Sequence, residues 1–161
     1  MARSIVWRIA RRAHALDRTG AGARQYGGRW NYPGTAVIYA ASSVSLAALE
    51  KFVHAEGIVP PDLVLVRLEL PKGYSAERPG LPDLPKGWNS VPPGPASMSF
   101  GTEWARAGGS LVLYVPSVLV PEETNAVLNP NHRQFAEVKI AVERHFGYDL
   151  RMYLPRRSPR R

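Results

Sequence analysis

Apolar and polar positions change rhythm several times along the chain, and each change predicts an element. SIVWRIA, residues 4–10, has the composition of a first strand. DRTGAGARQYGG, residues 17–28, reads as loop. AVIYA, residues 36–40, is a short apolar run and predicts a buried strand. Ser42 or Ser43 then caps a helix running to about Glu56, with Gly57 as its stop. LVLVRLEL, residues 63–70, predicts a strand with Val64, Val66, Leu68 and Leu70 on one face and Arg67 and Glu69 on the other. Residues 71–95 hold seven prolines and four glycines, which no regular element tolerates. They read as a surface excursion in which the Trp88 ring must find cover. Ser99 can cap a short helix over FGTEWARA, stopped by Gly108 and Gly109. SLVLYV, residues 110–115, predicts a central strand that Pro116 ends, leaving Ser117 at its exit. EVKIAV, residues 137–142, alternates as a strand, with a helix through Arg144 as the rival reading. Strands and helices interleave with irregular crossovers, so the predicted fold is a single α+β domain with a mixed central sheet and flanking helices. That domain takes in residues 1–154, followed by a basic tail over 155–161.

One position breaks the pattern of the helix at 44–54. Leu46, Leu49 and Val53 recur at i, i+3 and i+7 and predict its buried stripe, and Glu50 falls on that same stripe. An inward carboxylate is costly unless it is paired or lines a cavity. Spacing alone leaves three readings open: a Glu snorkelling at the border of the stripe, a buried structural Glu–Arg pair, or an acid held in a cleft for chemistry. Arg29 carries a similar ambiguity. Gly27 and Gly28 let the backbone approach a neighbour just before it. The guanidinium can serve structure beneath Trp30, or grip phosphate in bidentate fashion. Tyr39, taken alone, fits a core as well as a stacking surface. Ser117, taken alone, is a turn residue.

Composition narrows the classes. The 161 residues suit one domain with its own core. No cysteine is present, which excludes disulfides, thiolate chemistry and zinc ribbons. No run of apolar residues is long enough to span a membrane, and the basic start has an apolar run too short and broken for a secretory signal. The expected location is the cytoplasm. Four arginines after Pro155 account for half of the formal net charge of +8, so the remaining body is only mildly basic. Direct nucleic-acid binding is therefore not expected of it. GAGARQYGG fails the dinucleotide fingerprint, because Gln25 stands where the third glycine belongs. There is no Walker A loop and no serine nucleophile elbow, and His14, His54, His132 and His145 have no metal-ligand spacing.

The pieces GAGARQYGGRWNYPG, VIYAASSVSLAALE, the FGTEW helix, LVLYVPSV and NAVLNPNH, in that order, resemble the RES domain. The resemblance implies an ADP-ribosyltransferase-like fold and the toxin of a bacterial toxin–antitoxin pair that depletes NAD. It implies an Xre-type antitoxin as partner, with a homodimer inside the toxin–antitoxin complex as a candidate assembly. It carries catalytic or substrate-binding roles onto Arg29, Tyr39, Glu50 and Ser117. NAD is then the substrate, inorganic phosphate a candidate co-substrate, and neither a cofactor nor a metal is implied.

The chemistry suits those groups. Nicotinamide leaves NAD as a neutral molecule, and positive charge moves onto the ribose in an oxocarbenium-like transition state. A fixed anion near the sugar stabilises that state. Glu50 is the expected anion, with cationic neighbours, Arg29 foremost, holding it in the charged form. Arg29 is expected to bind the pyrophosphate, Tyr39 to stack on the cationic ring, and Ser117 to bond the carboxamide or a ribose hydroxyl. Two other functions compete: transfer of ADP-ribose to a protein, and a non-enzymatic nucleic-acid-binding module acting through the tail.

Overall fold

Alternation along the strands sorts side chains onto two faces of a seven-stranded sheet. The computed structural model describes residues 3–58 and 60–153. Its elements are β1 (Ile5–Arg11), α1 (Ala21–Tyr26), β2 (Ile38–Ala41), α2 (Val44–His54), β3 (Leu63–Glu69), β4 (Ala76–Glu77), α3 (Pro95–Ala107), β5 (Val112–Pro116), β6 (Thr124–Leu128) and β7 (Lys139–His145). Strand order is β4-β5-β6-β2-β1-β3-β7. Every pairing is antiparallel except β4 with β5, so the sheet is mixed and the domain is α+β.

On one face, Val6 and Ala10, Ile38 and Ala40, and Val64, Val66 and Leu68 form a continuous core with Leu128 and Phe135. The other face carries two separate clusters. Trp30, Val37, Leu113 and Val127 pack with Trp104 of α3. Ile9, Ala41, Leu63 and Leu65 pack with Leu46 and Ala47 of α2. Leu113 and Val127 in the first of these clusters are fully buried, and each contributes about 1.5–3 kcal/mol by leaving water. The seam between the two clusters is where the site lies.

Several expectations are corrected in detail. Residues 21–26 were expected in a loop and form α1. The Asp17 carboxylate accepts the N–H groups of Thr19, Gly20 and Ala21 and so organises the helix start from four residues upstream. Ser43, not Ser42, caps α2, accepting the Leu46 N–H at 3.1 Å. The helix ends at His54 because Glu56 and Gly57 both take positive φ. Val53 is 49% exposed, so the buried stripe of α2 is Leu46 and Ala47, with Glu50 one turn further on. α3 begins at Pro95 rather than after Ser99, since proline suits the first helical position. Residues 139–145 form a strand, which excludes the helix through Arg144. The Pro/Gly excursion contributes β4 and a short 3-10 turn at Leu81–Asp83, and Trp88 finds its cover by stacking on Trp30 at 6.1 Å. The predicted basic tail lies outside the described residues. Among the described residues no helix is long and apolar enough to cross a membrane.

Buried phenols tie this fold to pH. Burial, aided by nearby Tyr153, pushes the Tyr148 hydroxyl up to about 12 from the ordinary 10.0. Burial also raises Tyr39 and Tyr114 well above the usual tyrosine range. The folded state keeps these protons where the unfolded chain releases them, so the Tyr148 contribution is whole below pH 10.0 and is lost as pH rises through about 12, while those of Tyr39 and Tyr114 persist to higher pH. Tyrosinate absorbance and loss of ellipticity are expected to rise together in that window. Tyrosinate signal complete at pH 10.0 with the fold intact would contradict this.

Candidate functional site

The GGRWN turn is built to hold Tyr39. The Tyr39 hydroxyl donates to Asn31 Oδ1 at 2.6 Å and accepts the Trp30 N–H at 3.0 Å. Gly28 lies flat against the ring: a Cβ there would sit 2.7 Å from the hydroxyl oxygen. Asn31 is fully buried, and its amide bonds the carbonyls of Ala23, Tyr32 and Thr35. Glycine, tryptophan and asparagine therefore serve the turn itself. Arg29 is half-buried, and its Nη1 donates to the carbonyls of Trp88 and Ser90 in the Pro/Gly excursion, at 3.0 and 2.8 Å. The excursion thus fixes where the guanidinium points. Burial lowers the Arg29 pKa, while Glu50 and then Tyr39 pull it back up. An arginine so placed stays charged.

Glu50 reaches across from α2 to the far side of the seam. Its Oε1 accepts from Ser117 Oγ at 2.8 Å and from Asn125 Nδ2 at 2.6 Å. Both anchors are neutral. Arg29 forms no ion pair with Glu50 among the described residues and acts on it through space alone. Arg29 is thus a cationic neighbour of Glu50, and the direct bonds to the acid come from two uncharged donors. Oε2 remains open. The nearest basic group is His54, one helical turn on, with Nε2 at 3.9 Å, and a quarter of the Glu50 side chain is exposed. A buried acid closed by an arginine does not describe this geometry, whereas the exposed quarter of the side chain agrees with a Glu at the border of the stripe as well as with an acid in a cleft.

Ser117 was expected to meet the substrate. It has no exposed surface, and its hydroxyl accepts the N–H groups of Leu119 and Val120 while donating to Glu50. One proton and two lone pairs are all in use. As placed here, it orients the acid.

Two residues were missed by the sequence reading. Asn125 sits on β6 directly across from Ala41, on the face of Tyr39 and α2. Arg8 is the second. β1 and β2 pair at a single position, Trp7 with Ala41, and then diverge. A cavity of about 200 Å³ opens between them, lined by Arg8 from β1, Ile38 and Tyr39 from β2, and Asp17, Gly20 and Gly22 around α1. Burial lowers the Arg8 pKa, and Asp17 raises it from a distance. Arg8 forms no ion pair among the described residues. A signal was available: Arg8 lies between Val6 and Ala10 on one strand face, the same anomaly as Glu50 on its helix. A larger hollow of about 520 Å³ near Pro71, Lys72 and Lys139 touches none of these groups. Of the candidate site residues, Tyr39 lines the smaller hollow, and Arg29, Glu50, Ser117 and Asn125 line neither.

Fold and site together define an α+β protein with an oriented acid, an arginine and a tyrosine on one face of a mixed sheet. By sequence the chain belongs to the RES domain family, whose model matches residues 5–151. A toxin of Sphingobium sp. (strain YBL2) named "Prs ADP-ribosylating toxin" is 46% identical over 152 residues, covering 91% of this chain and 94% of that protein. "Toxin Res" of Yersinia enterocolitica is 42% identical over 147 residues, covering 89% and 95%. Among solved structures, a chain of the M. tuberculosis MbcT–MbcA toxin–antitoxin complex superposes with a TM-score of 0.66 at 15% identity, covering 94% of this chain and 87% of that one. At that identity the likeness is one of fold.

Proposed function

We propose that this chain is the toxin of a toxin–antitoxin pair and that it cleaves the nicotinamide–ribose bond of NAD. The observation that carries the reading is the state of Glu50: one oxygen fixed by two neutral donors, the other open, and no ion pair with an arginine. A carboxylate oriented but not neutralised is what a developing ribosyl cation requires. The bond from ribose C1′ to the pyridinium nitrogen breaks, and its electron pair goes to that nitrogen, so nicotinamide departs neutral. An oxygen of water, or of inorganic phosphate, bonds to C1′, and the proton it carried is lost to solvent. Glu50 stabilises the cationic sugar and orients the attacking oxygen through Oε2.

Arg29 and Tyr39 divide the remaining work. Arg29 lies close to Tyr39 and supplies positive charge for a pyrophosphate, while Arg8, on the opposite face of the sheet, lines the cavity that Tyr39 also reaches. The Tyr39 ring, its hydroxyl tied to the GGRWN turn, offers a face to the cationic nicotinamide. Ser117 and Asn125 are positioning residues that act through Glu50. A cognate antitoxin of the Xre type is the proposed partner, as the RES family membership suggests.

Transfer of ADP-ribose to a protein is the second reading, favoured by the printed name of the Sphingobium relative. The test is purified protein with NAD labelled in the adenylate, with nicotinamide release followed at several phosphate concentrations. Stoichiometric nicotinamide and free ADP-ribose, or its phosphorylated form when phosphate is present, are expected. Label appearing on protein favours transfer. Intact NAD after prolonged incubation would sink both readings.

A further inference from the structure

α2 carries Glu50, yet little of the sheet grips that half of the helix. Of its eleven residues only Leu46 and Ala47 are buried, and both belong to its first half. What covers the second half is the chain after β7. The Phe146 N–H continues the pairing onto the Leu63 carbonyl at 2.9 Å. The Phe146 ring meets Tyr148 edge-on at 5.0 Å. Tyr148 and Tyr153 then enclose Phe52 of α2, with ring centres 5.5 and 5.3 Å away. The Tyr148 hydroxyl donates to the Ala48 carbonyl, one turn before Phe52.

The geometry is directional. Ala48 and Phe52 share one side of the helix, and Glu50, two residues from each, lies about 200° round the axis. The strap therefore holds the back of the helix whose front presents the acid. A roll of about 20° moves a carboxylate about 6 Å from the axis by about 2 Å, enough to break both of its anchoring bonds. Ring packing resists separation of strap and helix but tolerates rolling. A directed bond to one carbonyl does not, because it fixes azimuth.

We propose that Tyr148 is a positioning residue: through the Ala48 carbonyl it sets the roll of α2 and so keeps Glu50 Oε1 on Ser117 and Asn125. This rests on the reading of Glu50 as the acid of NAD cleavage. Tyr148→Phe removes the bond and keeps the ring. Tyr153→Phe is the matched control, since the Tyr153 hydroxyl is buried without a hydrogen-bond partner among the described residues.

Steady-state nicotinamide release gives kcat and KM for each variant, and circular dichroism gives the folded fraction. For Tyr148→Phe, kcat is expected to fall about tenfold with KM unchanged, the equivalent of about 1.4 kcal/mol in the transition state. Tyr153→Phe is expected to keep the wild-type kcat. Several results overturn the proposal: an unchanged kcat in Tyr148→Phe, a loss that only tracks the folded fraction, a rise in KM, or equal losses in both variants. Wild-type turnover by Glu50→Gln would instead remove the reading of Glu50 itself, whatever Tyr148→Phe does.

Discussion

Glu50→Gln is expected to lower NAD turnover by about 100-fold or more while leaving the melting temperature close to that of the wild type. Glutamine keeps the length and shape of the side chain. Its carbonyl oxygen can take the place of Oε1 and accept from Ser117 and Asn125 as before. The amide nitrogen then occupies the position of Oε2, and the positive end of a dipole faces the ribose instead of a full negative charge. Loss of one preorganised electrostatic group costs about 3–4 kcal/mol of transition-state stabilisation, which sets the expected factor. Stability should barely move, because no arginine or lysine pair is broken and the His54 contact at 3.9 Å is long and solvent-exposed. Nicotinamide release measured beside a thermal melt separates the two quantities. A variant that turns over NAD at the wild-type rate removes Glu50 from the mechanism.

The largest effect on stability is expected at Gly101→Ala. Gly101 lies on the inner side of α3, pressed against the turn that carries Arg29. A Cβ built there sits 2.0 Å from the Trp30 carbonyl oxygen and 2.8 Å from both its carbonyl carbon and its Cβ. The obstacle is backbone, so no rotamer change relieves it. Alanine gains about 1 kcal/mol in helix propensity over glycine, but forcing the helix and the turn apart costs about 3 kcal/mol or more. The clash wins. A displaced turn also moves Arg29 and releases the Trp30 N–H from Tyr39, so surviving folded protein should lose turnover as well. Gly22→Ala is the contrast: nothing lies within 4 Å of its added Cβ, and propensity alone should leave it neutral or slightly stabilised. Denaturant midpoints for the two variants test the pair. Equal midpoints would contradict the packing described for Gly101.

Local pattern made part of this molecule legible. β1, β2, β3 and β5 are short apolar runs bounded by turn residues, and Ser43 with Glu50 gave α2 both its start and its anomaly. What stayed hidden depends on distant pairing. TNAVL, the β6 sequence, begins with two polar, half-buried residues, of which Asn125 lies on the face of the site, while Val127 and Leu128 are buried between neighbouring strands. Nothing local distinguishes Asn125 from any loop asparagine until β6 lies beside β2. α1 was hidden because its organising group, Asp17, lies upstream of the helix and not at its cap position. Arg29, Tyr39 and Glu50 are brought to one seam, whereas Ser117 arrives there by holding Glu50. Val53 misled because a stripe drawn from spacing alone ignores the aromatic residues that cover the helix from behind.

The order in which the site residues occur along the chain has a consequence for biosynthesis. Glu50 emerges early, but its two anchors are residues 117 and 125, and Tyr148, which packs behind its helix, emerges later still. At about 5–20 residues per second, a ribosome takes several seconds to pass from the acid to the groups that aim it. A truncated or nascent polypeptide of this kind carries the acid without its alignment. A fragment that stops short of β6 is therefore expected to hold the acid-bearing helix without the two bonds that fix its carboxylate.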